Sequence, residues 1–300
     1  MLSLCAATLS TAHACDVCGC SASNQYLGIL PQPKYNFVGL QYQYSGFRSS
    51  HPSLFNKDVQ ERGEDHYYTT QVWGRVNVGK QLQLFAFVPY RSSSSRQNDL
   101  STSQQGVGDI SFLANAVLLR DKDTKAGLKH QLIAGGGLKL PTGRYTGITA
   151  ADRQGLPNMQ PGTGSWDFLV NANYTVRQNK WGLNTDASYT LTLPNREAYK
   201  YGNRLSTGLM AFHASRIGTL TLLPQLGVRY EYSLHDYDNY DRKWLNEQSG
   251  GYMCFATAGV QAYYGKLGTR LTYQLPVSQH YGAGYVKAVQ KLDAGVFFLF

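Results

Sequence analysis

Residues 218–233 read GTLTLLPQLGVRYEYS, and their side chains sort by parity. Leu220, Leu222, Pro224, Leu226, Val228, Tyr230 and Tyr232 hold one set of alternate positions, while Thr221, Gln225, Arg229 and Glu231 hold the other. Neighbouring side chains of an extended strand point to opposite faces, so this stretch makes a strand with one oily side and one polar side. A helix, repeating about every 3.6 residues, would scatter the same apolar residues around its circumference. Residues 181–193 repeat the pattern, with Trp181, Leu183, Ala187, Tyr189, Leu191 and Leu193 set against Asn184, Asp186, Ser188, Thr190 and Thr192. Trp181 and Tyr189 suit the interfacial belts of a membrane.

Working outward from these two stretches, alternating segments recur near 34–46, 66–78, 81–91, 107–119, 128–140, 165–177, 202–215, 251–264, 267–278 and 286–300. Their lengths match what a tilted strand needs to cross a bilayer. Connections after odd-numbered segments are long and polar, as in Ser49 to Asp65, Ser92 to Gln105, Thr142 to Gly164 and Ser233 to Gly250. Most of those after even-numbered segments are tight, as at Gly79-Lys80, Ile217-Gly218 and Gly265-Lys266. This alternation predicts an all-β fold, an antiparallel up-and-down transmembrane β-barrel of about twelve strands in a bacterial outer membrane, with both termini periplasmic.

Composition agrees with that reading. The chain has 22 tyrosines and 31 glycines, and charged residues make up only 16% of it. Past the N-terminus no run of apolar residues is long enough for a membrane helix. A mean hydropathy of −0.34 fits strands that give half their residues to a polar interior. The net charge of +9 is spread singly along the chain and forms no stripe, which argues against nucleic acid as a partner. Outward rows of Leu, Val, Tyr and Trp would make a soluble sandwich or lipocalin-like binder adhesive over its whole surface.

Residues 1–14, MLSLCAATLSTAHA, end in the small-x-small pattern of a signal-peptidase site, although no basic n-region precedes them. Residues 15–33 then form a periplasmic cysteine-rich segment, and 34–300 the barrel. Cys15, Cys18 and Cys20 are spaced to converge on copper or zinc, to form a disulfide with one thiol left over, or to offer Cys15 for acylation. Cys254 reads as a small apolar residue on a strand. At the other end, Ala288, Leu292, Ala294, Val296, Phe298 and Phe300 share one parity class, with Lys287, Lys291 and Asp293 opposite. A final phenylalanine on such a strand resembles the signal read by the barrel-assembly machinery, which makes that machinery an expected partner beside outer-membrane lipid and a small-molecule solute.

Three motifs occur in order: Gly106-Val-Gly-Asp-Ile-Ser-Phe-Leu113, Gly137-Leu-Lys-Leu-Pro-Thr-Gly143 and Pro161-Gly-Thr-Gly-Ser-Trp-Asp167. Together they resemble the barrel family named for the MetA pathway of phenol degradation, whose members are described as outer-membrane transporters. The resemblance implies a barrel that passes small, hydrophobic or aromatic compounds. The cysteine segment departs from it and leaves a metal-handling role as an alternative. The glycines themselves read as structural, easing curvature or close packing of the wall, and Pro141 as a strand stop.

Strict alternation assigns to the lumen Arg75, Arg91, Lys129, Lys139, Arg177, Arg204, Arg229, Arg270, Lys287 and Lys291, opposed by Asp109, Asp167, Asp186, Glu231 and Asp293. Trp73, Phe85, Phe87, Phe255 and Tyr263 join them. An open pore lined this way favours anions, whereas a narrow barrel would bury the same groups as a salt-bridge network. His51, His66, His235 and His280 fall in or beside the long connections, weak support for metal handling. His213 and Ser215 are the one pairing that raises a lipase-like or protease-like alternative, but no nucleophile elbow accompanies them and the reading is not an enzyme.

Overall fold

The computed structural model describes residues 35–52, 60–97, 100–120, 127–146, 157–197, 199–238, 242–247 and 249–300. The signal sequence and the cysteine segment, with Cys15, Cys18 and Cys20, lie outside the described residues.

Alternation becomes architecture through pairing. Twelve antiparallel strands close into a barrel. They are β1 (Phe37–Pro52), β2 (Gln60–Val78), β3 (Leu82–Gln97), β4 (Leu100–Val107 and Ser111–Leu119), β5 (Leu128–Lys139), β6 (Asp167–Gln178), β7 (Trp181–Thr192), β8 (Arg204–His213 and Ser215–Ile217), β9 (Leu220–Ser233), β10 (Gly251–Tyr264), β11 (Leu267–Tyr281) and β12 (Val286–Leu299). Each strand pairs with the next, and β12 returns to β1, from Phe37 opposite Leu299 to Ser49 opposite Val286. Closure gives each of these strands a partner on both sides, which is the condition for carrying backbone polar groups through lipid. Among the described residues no helix is long and apolar enough to cross a membrane.

The tight turns gather at one end, where Gly79, Gly218 and Gly265 take the left-handed φ that short hairpins demand. The opposite, long-loop end differs from expectation. Ser49–Asp65 and Ser92–Gln105 are not loops for most of their length: β1 runs on to Pro52, β2 starts at Gln60, β3 reaches Gln97 and β4 starts at Leu100. Polar residues such as Ser92 to Ser95 pair there with Tyr68 to Asp65, so the ladder outlasts its hydrophobic signal. Between β7 and β10, residues Tyr199–Lys200, Tyr237–Asp238 and Lys243–Trp244 form a separate small sheet at the same end.

The outer surface carries Val72, Val88, Val170, Leu226 and Leu271, all exposed. Tyr42, Tyr44 and Tyr68 cluster on it toward the long loops, and Trp181, Tyr264 and Phe300 ring the tight-turn end. Inside, the lumen is layered. Phe37, Trp73, Phe85, Phe87, Leu113, Tyr263, Phe297 and Leu299 form an aromatic floor at the tight-turn end. Above it lie charged and amide groups, and a second apolar cluster of Phe47, Tyr67, Met253, Phe255, Tyr281, Val286 and Ala288 sits toward the long loops.

One inward assignment fails on a local irregularity. The β1–β12 register shifts between Gly46 and Phe47, so Gly46 faces Gln290 while Phe47 faces Ala288, and Val289 is left over as a bulge. The extra residue inverts parity. Val286 and Ala288 are therefore buried and Lys287 is exposed on the outer wall, while Lys291 and Asp293 below the bulge keep their place inside.

Candidate functional site: a loop folded into the lumen

Strand β4 is interrupted at Gly108-Asp109-Ile110, and that gap is where the three glycine motifs meet. Gly143 lies so close to its neighbours that a Cβ there would sit 2.7 Å from Gly162 Cα and 2.8 Å from the Gly108 carbonyl carbon. Three backbones therefore touch at one point, which no larger side chain permits. Asp109 fastens the junction: its Oδ1 accepts from Gly143 N (3.0 Å), and its Oδ2 accepts from Thr163 N and Thr163 Oγ1 (both 2.8 Å). The Lys139 ammonium lies 3.2 Å from Asp109 and 2.5 Å from Asp167, and it also donates to Thr163 Oγ1. Arg204 stands 4.0 Å from Asp167. All these groups are buried, so the carboxylates and ammonium compensate charges that would otherwise be costly to desolvate.

Held this way, residues 157–165 fold inward instead of standing in solvent. Pro157 to Thr163 are all buried. Tyr201 Oη donates to Pro157 O (2.8 Å), Asn195 Nδ2 to Thr163 O (3.1 Å), and Gly162 N to Arg144 O (3.0 Å). At the tip, Met159 packs into the cluster of Phe47, Tyr67, Met253 and Phe255. Those residues belong to β1, β2 and β10, across the barrel from the β5 and β6 strands that carry the loop, so the strip crosses the lumen. Beside it, a cavity lined by Ser111, Lys139, Asp167, Asn171, Asp186 and Arg204 measures about 30 Å³, space for about one water molecule.

Below the strip, predicted lumen charges are matched in pairs. Arg229 grips Asp186 with both oxygens at 3.1 Å and donates to Ser206 Oγ at 2.6 Å. Lys291 meets Glu231 at 2.6 Å, and Arg270 meets Asp293 at 2.9 Å. Gln41 and Gln43 also donate to Asp293. Arg75 is fully buried beneath them, bonded to Tyr35 O (2.5 Å) and lying 5.2 Å from the Phe37 ring centre. Arg91 is half-buried, its stem passing Gly108. Lys129 and Arg177 face each other across β5 and β6 but are exposed at the tight-turn rim, apart from the rest. Cation excess, expected from counting residues, is thus largely cancelled by pairing.

The remaining candidates fall elsewhere. His213 Nδ1 and Ser215 Oγ are 2.9 Å apart, but His213 packs on exposed Trp181, ring centres 4.5 Å apart, on the outer wall at the tight-turn rim. That is the membrane interface and not a substrate cleft. Cys254 is a free thiol of intermediate exposure between inward Met253 and Phe255. Among the described residues no group of three His, Cys, Asp or Glu is placed to hold a metal ion. Sequence reasoning passed over Met159, Thr163 and Asn195. The density of Gly and Pro around 157–164 was the available signal, and it reads equally well as an exposed turn.

It also passed over Asp236, in the long-loop end beyond β9. This carboxyl is buried, accepting from Gly202 N (2.6 Å) and Tyr199 Oη (2.7 Å), and its own N–H donates to Ser249 Oγ (2.7 Å). Burial pushes its pKa above the usual carboxylate range, against those hydrogen bonds and the nearby Arg204 and His235. A raised pKa means the folded cap prefers the neutral acid. Its stabilisation is complete below the unfolded carboxylate pKa of about 4 and declines as pH rises through the raised value. Amide exchange around residues 234–238, corrected for the intrinsic effect of pH, should therefore show more opening at neutral than at acidic pH. Asp236→Asn should flatten that dependence.

A family profile described as "Putative MetA-pathway of phenol degradation" matches residues 47–243, a span that holds all three glycine motifs and the junction they build. The chain belongs to this family. In this member of the "Phenol MetA" family, the glycines and Asp109 that turn the loop inward all lie within the matched span. In solved structures, the fold is similar to an outer membrane channel from Pseudomonas putida F1, at 14% identity and TM-score 0.64, covering 90% of this chain and 97% of that one. It is also similar to the transport unit of the autotransporter AIDA-I from Escherichia coli, at 9% identity and TM-score 0.52, covering 96% and 100%. These likenesses are of fold, that of a closed antiparallel β-barrel. No curated protein matches the sequence.

Proposed function

We propose that this barrel is an outer-membrane channel for small solutes, with its termini and tight turns periplasmic, its long loops outside, and passage limited by the strip Pro157–Ser165. Residues 1–14 then serve as the export signal and 15–33 as a periplasmic leader to the barrel. The observation that carries the reading is the state of the inner wall. Ser111 Oγ, both amide atoms of Asn115 and of Asn171, Gln225 Oε1, Thr257 Oγ1 and Thr272 Oγ1 are buried, yet have no protein partner. An unsatisfied buried polar group costs about 1–3 kcal/mol, so groups spread over β4, β6, β9, β10 and β11 make an inner wall that gains stability once solvent enters beside it. A polar wall under a removable strip is what a channel needs and a solid structural barrel does not.

The lining of the lumen favours a solute class. Arg270 lies 5.4 Å from the Trp73 ring centre, and Lys291 4.6 Å from that of Phe255. Cations layered with aromatic faces suit small aromatic or anionic compounds, in keeping with the family's link to phenol degradation. Benzoate influx into vesicles holding the protein should run several-fold above influx into protein-free vesicles and ahead of glucose. Equal influx with and without protein would contradict the proposal.

A further inference from the structure

We infer that the outer wall at the long-loop end carries a binding surface for phosphorylated lipid headgroups, built from Arg48, Arg62, Arg96 and Lys287. The inference rests on the membrane placement of the barrel and not on its being a channel. In the strand register, Lys287 of β12, Arg48 of β1, Glu64 of β2 and Arg96 of β3 stand side by side. All four side chains are exposed, as is Arg62 one outward step above. Arg48 and Glu64 pair at 3.0 Å, which leaves the row with a surplus of positive charge. A recess of about 440 Å³ opens beside it, lined by Arg48, Arg62, Glu64, Tyr285 and Lys287.

Height along the wall decides what such a row meets. Descending β1 and β2 on the same face, the next positions hold His66, then the Tyr44–Tyr68 pair with Tyr42, and then Leu40 and Val72. Tyrosines mark the interface and the aliphatic residues the acyl chains, so the cations stand at headgroup level. There, Lys and Arg attract anionic lipid phosphate. Lys287 reaches this row only because of the bulge at Val289, without which strict alternation would turn it into the lumen. Bulges serve to re-aim a side chain in this way.

The test uses the folded full-length barrel in detergent, with lipid binding read by native mass spectrometry. Hexa-acylated lipid A bearing its phosphates should bind at least tenfold more tightly than dephosphorylated lipid A. The Arg62→Gln/Arg96→Gln/Lys287→Gln variant, which keeps the Arg48–Glu64 pair, should lose that preference while its strand content and thermal stability in detergent stay at the wild-type level. A control variant at the tight-turn end, Lys180→Gln/Arg216→Gln/Lys266→Gln, should retain it. Equal affinity for the two lipids, an unaffected triple variant, or displacement of lipid by equimolar inorganic phosphate would each overturn the inference.

Discussion

Asp109→Ala is expected to open the barrel. The substitution removes the acceptor for Gly143 N, Thr163 N and Thr163 Oγ1 at once and withdraws one of the two carboxylates holding Lys139. Breaking a buried charged network from one side costs about 3–5 kcal/mol, comparable with what fastens a loop strip to a wall. The loss falls on the strip more than on the barrel, because Asp109 sits in the break of β4 and contributes no ladder of its own. Single-channel conductance in a planar bilayer should therefore rise several-fold while the strand content stays unchanged. Asp109→Asn, which keeps the shape and one acceptor, should fall between. A conductance no different from wild type would show that the strip does not limit the path.

The second large effect is on stability. Glu231→Ala leaves Lys291 buried with the Phe255 ring as its remaining neighbour on that side. Both groups of the pair are about nine-tenths buried, at 10% and 9% exposure, so surface screening offers little relief. Urea unfolding in detergent should show a loss of about 3–5 kcal/mol. Replacing both partners, Glu231→Leu with Lys291→Met, removes the orphan charge and should recover most of that loss, because packed apolar residues commonly match a buried ion pair. A double variant as unstable as the single one would mean that the pair does more than neutralise itself.

Much of the barrel is legible in the sequence because a strand buried on one side and lipid-facing on the other writes its period directly into residue type. Leu226, Val228 and Tyr230 against Gln225, Arg229 and Glu231 leave little room for another reading, and the structure exposes the first set and buries the second. The signal weakens where both faces are polar. Ser92 to Ser95 form ladder but read as loop, since backbone pairing leaves no mark in side-chain character. It inverts at a bulge, as Lys287 shows, because one extra residue is invisible to a parity count. The site was half visible. Asp109, Lys139 and Asp167 could be picked as buried charges by alternation, yet their convergence on Thr163 depends on a loop whose glycines allow backbones to touch, a three-body fact that spacing along the chain does not record.

The claim on which all this depends is that side chains of each strand alternate between lipid and an enclosed interior. Spin labels placed singly at residues 224 to 231 of β9, in a barrel reconstituted into vesicles, test it directly. Collision with membrane-dissolved oxygen should be high at 224, 226, 228 and 230 and low at 225, 227, 229 and 231. A flat profile, or one repeating at helical spacing, would contradict the account.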